Sequence, residues 1–169
     1  MHLRLATPND FEVYKLLYDR FEYSLLYQPE ESDIKPQNNN DESRKLEFDS
    51  ETLKQIEEEL APTREKFESR IGNLAEYRIY IIEEDSEIIG FAELFKIVRT
   101  RWKLAELSVN KVASLEMIRA IADMLIKQSR IKIIDVCVPM YRSCEKRMEE
   151  SGFAPIGGGF YRKEEKQKG

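Results

Sequence analysis

The chain has 169 residues, enough for one domain with a full core, and is 41% apolar and 35% charged. A net charge of −5 with no basic block argues against a nucleic-acid partner. No apolar run reaches the roughly 18 residues of a membrane span and no leader pattern precedes Pro8, so the sequence predicts a cytoplasmic protein with no membrane partner.

The first element is a short alternating strand, HLRLA, over residues 2–6. Thr7, Pro8 and Asp10 then form a helix-start signal. Phe11, Tyr14, Tyr18, Phe21 and Leu25 follow at steps of three and four. They predict a helix whose aromatic stripe faces the core. Residues 28–49 are polar, with two prolines and three consecutive asparagines, and predict a long mobile loop. Ser50 is placed to cap a second helix carrying Leu53, Ile56 and Leu60. Pro62 kinks it or starts another through Phe67, Ile71 and Leu74. Residues 28–59 hold 11 acids and 4 bases, a net −7. That charge reads first as a solvated face, and second as a flap that draws in a cationic amine.

Tyr77 to Val98 is the clearest hairpin, with Asp85 and Ser86 at its turn. Gly90 inside the returning strand predicts a bulge or a close approach. Trp102 to Val109 reads as the next strand. A helix follows with Ile118, Ile121, Ala122 and Leu125 on its core face. Ile131 to Val138 is nearly all apolar and predicts a central strand covered on both faces. Tyr141 to Ser151 reads as a helix closed by Gly152. Gly157, Gly158 and Gly159 precede a last strand, FYRK, and residues 164–169 read as a disordered tail. A strand–helix–strand segment near the end implies one parallel pair in a mostly antiparallel sheet.

Two cysteines, Cys137 and Cys144, are too few for a disulfide framework and read as small buried residues. The only histidine is His2, which removes mechanisms built on a central histidine, His-rich zinc sites included. No metal is expected.

Three stretches, in this order, resemble the GNAT superfamily of acyl-CoA-dependent N-acetyltransferases. YIIEEDSEIIGFAEL is similar to the family's second and third strands, AELSV to its fourth, and VCVPMYRSCEKRMEESGF to its fifth strand and following helix. The last ends in the family's Gly-Phe pair at Gly152 and Phe153. The resemblance implies a single α/β (α+β) domain over residues 1–169. Its central sheet is mixed and mostly antiparallel, with helices on both faces and a parallel strand pair near the C-terminus. It implies acetyl-CoA as cosubstrate, with pantetheine lying between splayed fourth and fifth strands and the pyrophosphate on amides at the next helix.

On this chain the resemblance assigns cofactor contacts to Leu107, Ser108, Val109, Lys111, Val112, Ala113 and Ser114, and to Tyr141 and Cys144 on the later helix. Its catalytic candidates are Glu106, as base, and Tyr141. Strand alternation puts Glu106 on the side of Ser108, opposite Leu107 and Val109. Two motifs depart from the family. Gln/Arg-x-x-Gly-x-Gly/Ala becomes Asn110 to Leu115, without glycine. The usual tyrosine of the later helix becomes Met148, which reads as core, and Tyr141 stands seven residues before it, roughly 10 Å along the helix axis.

The leading expectation is transfer of an acetyl group to a primary amine of a small molecule or peptide. The rival is a GNAT-fold binding or regulatory module that does not use CoA, with a homodimer left open. A third reading keeps the enzyme but widens the gap for a longer acyl-CoA.

Overall fold

The computed structural model describes residues 1–18, 50–52, 54–55, 61–109, 115–138 and 142–166. The expected loop 28–49, the candidates Lys111, Val112, Ala113 and Ser114, and Tyr141 lie outside the described residues. The strands are β1 (His2–Leu5), β2 (Tyr77–Glu84), β3 (Glu87–Val98), β4 (Arg101–Val109), β5 (Ile133–Cys137), β6 (Ala154–Gly157) and β7 (Phe160–Glu164). The helices are α1 (Phe11–Tyr18), α2 (Arg64–Ile71), α3 (Leu115–Ser129) and α4 (Arg142–Glu150). Residues 50–52 and 54–55 are also helical.

The strands form one sheet in the order β1-β2-β3-β4-β5-β7-β6. Every neighbouring pair is antiparallel except β4 and β5. Alternation decides the two faces. Tyr80 and Ile82 of β2 join Ala92, Leu94, Leu104, Leu107 and Val109 in one core, against Ile121 and Leu125 of α3 and Met148 of α4. Ile79, Ile81 and Phe91 point the other way, against Phe11, Tyr14 and Leu17 of α1 and Phe67 of α2. The mixed sheet with helices on both faces is the expected architecture.

The start of α1 is held as the sequence predicts. Asp10 accepts from the Thr7 backbone N–H at 2.7 Å and from the Thr7 hydroxyl at 2.9 Å. Arg4 of β1 adds two bonds of 2.8 Å to the same carboxylate. That guanidinium, ahead of the opposing effect of burial, holds the Asp10 carboxyl down at about 2, against an ordinary 3.8. A folded-state value below the unfolded one contributes stability above the ordinary carboxylate range and loses it as pH falls toward 2. Acid titration of folding stability should therefore show about 2 kcal/mol lost in that window, and Asp10→Asn should flatten it.

Asp85 and Ser86 form the β2–β3 turn with φ of 52° and 67°, the left-handed values of a type I′ hairpin. Gly152, with φ of 86°, closes α4 while the Phe153 N–H donates to the Met148 carbonyl at 3.0 Å.

Four expectations are corrected. Leu74 does not extend α2, which ends at Ile71, and sits exposed in a turn. The strand expected over Ile131 to Val138 covers only Ile133–Cys137; Asp135 is buried on it and held by arginines. An additional strand, β6, pairs with β7 across Gly158 and Gly159. Of the expected tail, Glu164 belongs to β7 and the Glu165 N–H donates to the Lys132 carbonyl at 2.7 Å.

Candidate active site

The site begins with an irregularity in β4. Glu106 is the partner of Glu93, and Leu104 is the partner of Leu94, so Ala105 is one residue too many and makes a bulge. Below the bulge β4 runs beside β5, from Arg101 opposite Ile133 to Leu104 opposite Val136. Above it the β5 ladder has stopped, while β4 continues along β3 until Val109 meets Gly90. Among the described strands, Glu106 to Val109 therefore have a ladder partner on one side only. Backbone groups beside such a gap need partners.

Both ends of this wedge have a physical cause. At the open end, a Cβ on Gly90 would lie 2.1 Å from the Ser108 carbonyl oxygen and 2.9 Å from Val109 Cα. Only glycine lets β3 hold β4 this closely. At the closed end Asp135 of β5 accepts from Arg101 of β4 at 2.6 Å and from Arg162 of β7 at 2.8 Å and 3.2 Å. Burial would raise this carboxyl, but the two guanidinium groups outweigh it and hold it below the usual range.

Leu107 and Val109 are buried in the α3/α4 core, so Glu106 and Ser108 face the α1/α2 side, as alternation predicts. Glu106 is half-buried. One of its oxygens accepts from the Leu107 backbone N–H at 3.1 Å and lies 3.3 Å from the Ser108 hydroxyl. An amide that meets a side-chain oxygen is aimed where another oxygen could meet it. Cys144 is buried in the α3/α4 core, on α4.

Sequence reasoning missed the partner of Glu106. Glu93, directly across the ladder, is 6% exposed and forms an ion pair with Arg70 of α2. The Tyr14 phenol lies close to the same carboxylate. Burial pushes the Glu93 carboxyl up, against the pull of Arg70 and Tyr14. Burial, then the nearby Glu93 charge, raises the Tyr14 phenol. Tyr18 stacks on Phe91 at 6.1 Å between centroids, and Phe91 is the ladder partner of Ser108. A signal was available: Glu93 interrupts the same-face series Phe91, Glu93, Phe95. A cleft lies beside this cluster, lined by Tyr14, Tyr18, Pro62, Lys66, Phe67 and Arg70.

No protein-family model matches the chain, and no curated protein matches it in sequence. Solved structures do. The PaiA N-acetyltransferase of Thermoplasma acidophilum, in complex with coenzyme A, is 16% identical over 97% of this chain and 98% of its own, with a TM-score of 0.57. The aminoglycoside acetyltransferase AAC(6')-Ib, in complex with coenzyme A and kanamycin, is 15% identical over 96% and 93%, with a TM-score of 0.59. A GNAT-family protein from Desulfovibrio desulfuricans is 14% identical over 96% and 98%, with a TM-score of 0.57.

The chain has the GNAT fold. The bulged β4 and the wedge beside it are its central irregularity, and Glu93 and Glu106 sit at the bulge. Among the described residues no helix is long and apolar enough to cross a membrane, and no group of three or more His, Cys, Asp or Glu could hold a metal ion.

Proposed function

We propose that the chain is a single-domain N-acetyltransferase that moves an acetyl group from acetyl-CoA to a primary amine of a small molecule or peptide. The observation that carries this is the end of the β4/β5 ladder at Leu104 and Val136 while β4 runs on to Val109. A strand edge left open within a sheet suits an extended, amide-bearing chain such as pantetheine, which can complete the ladder. Leu107, Ser108 and Val109 would hold it through their main chain. Lys111, Val112, Ala113 and Ser114 would offer amides and charge for the pyrophosphate at the start of α3, and Tyr141 and Cys144 would border the gap from the α4 side.

Bound acetyl-CoA supplies the acetyl group as an activated thioester. The chain's residues supply the rest. The Leu107 N–H, once released by the Glu106 carboxylate, can donate to the acyl oxygen and favour charge building there. The Glu106 carboxylate then stands beside the arriving amine. It takes the proton that leaves the amine as the carbon–nitrogen bond forms and the carbon–sulfur bond breaks. The departing thiolate takes up a proton, for which Tyr141 is the candidate donor. Glu93 and Glu106 together place two carboxylates against one Arg70, a local balance that draws in an ammonium, which gives up one proton to solvent water before the neutral amine attacks.

A thermal shift tests the first claim. Coenzyme A at 100 times its Kd should add about 2.7 kcal/mol of stability. No shift at millimolar coenzyme A or acetyl-CoA would leave the binding-module reading in its place.

A further inference from the structure

Packing alone does not account for Glu93. Its face of the sheet carries Ile79, Ile81 and Phe91, and a leucine would fill the space without desolvating a charge. What the buried carboxylate does is hold Arg70. The ion pair runs from the interior out to a guanidinium that keeps 39% of its side-chain surface exposed. Tyr14, fully buried, lies beside Arg70 and lines the same cleft. The outer side of Arg70 lines two adjoining clefts. One holds Tyr14, Tyr18 and Pro62, the other Thr63, Ser69 and Tyr77, and Lys66 is common to both. Pairing with Glu93 cancels most of the long-range field of Arg70, so it acts through oriented N–H donors while Lys66 supplies positive charge.

Tyr18 stands between the clefts and the bulge, close enough for the Glu106 charge to act on its phenol. It lines the first cleft and stacks over Phe91 beside Ser108. The bulge side is acidic, through Glu106. The cleft side presents a braced arginine and a lysine. We propose that the acceptor is an amino carboxylate: its amine reaches Glu106, and its carboxylate, separated by a short spacer lying along Tyr18, is bound by Arg70 and Lys66. This rests on the acetyltransferase reading and names the substrate class of that site. Planar guanidinium matches planar carboxylate, and bracing from behind lowers the cost of ordering the side chain. Glu93 is a positioning residue that acts through Arg70.

The test compares ω-amino acids of three to six carbons with alkylamines of the same length, as acetyl acceptors and as ligands in titration calorimetry. The amino acids should be favoured about 30-fold in kcat/KM, the worth of a charged bidentate contact. Arg70→Lys should cut that preference about tenfold. Lys66→Gln, at an exposed position, should reduce it as well, which keeps the test decisive if the Arg70 variant does not fold. Glu93→Gln should raise KM for the amino acids more than it lowers kcat. A peptide with a free amino terminus and an acidic side chain, set against its glutamine counterpart, tells whether the carboxylate belongs to a peptide or a free amino acid. Alkylamines bound or acetylated as well as amino acids would overturn the proposal, as would a preference that survives both substitutions. Calorimetry does not need coenzyme A, so loss of the acetyltransferase reading is seen separately, as an absent thermal shift with coenzyme A.

Discussion

Replacing Gly90 by alanine is expected to cost about 3 kcal/mol, the upper range for forcing an atom into a packed interior. The added Cβ would lie 2.1 Å from the Ser108 carbonyl oxygen and 2.8 Å from a Val109 side-chain carbon. The first neighbour is backbone, so no rotamer change relieves it. The upper half of β4 must move away from β3, toward the space where the β5 ladder has stopped. Two measurements follow that shift: the midpoint of urea unfolding falls, and coenzyme A binding weakens relative to the wild type. A substitution tolerated in both would mean that β3 and β4 are not held in the close register that shapes the gap.

Glu106→Gln is expected to lower kcat about 100-fold, within the usual range for removing a general base, while leaving the coenzyme A thermal shift in place. The substitution separates two roles. Glutamine keeps an oxygen that can accept from the Leu107 N–H, now at 3.1 Å, but cannot take a proton from the amine. Loss of turnover with intact folding would assign the proton transfer to this carboxylate. Equal turnover would remove Glu106 from the chemistry and leave Glu93, its ladder partner, as the next carboxylate to examine.

Much of this was legible from residue order. Alternation in Tyr77 to Val98 located the β2–β3 hairpin, and Asp85 and Ser86 located its turn. Gly90 announced a bulge or a close approach, and the structure names the atoms it approaches. The positions of Leu107 and Val109 in the core fixed the side on which Glu106 stands. What sequence could not show depends on pairing between strands. The bulge at Ala105 is a mismatch of register between β3 and β4, and neither strand carries it alone. Glu93 reads as the ordinary polar member of a strand until its neighbours across the ladder are known. β6 was missed because APIG has no alternation to detect, and all four of its residues are exposed.

The four residue pairs between β4 and β5 have a mechanical consequence. They join two antiparallel ribbons, β1 to β4 and β5-β7-β6, along a short hinge line, which the Arg101–Asp135 pair spans while Arg162 of β7 braces Asp135 from its own side. Val109 lies roughly 15 Å up β4 from Leu104 at the usual strand rise. At that lever arm, a rotation of a few degrees between the ribbons changes the distance at the tip by about an ångström. The width of the gap is thus governed from its pinned end, by a carboxylate and two guanidinium groups well away from the tip.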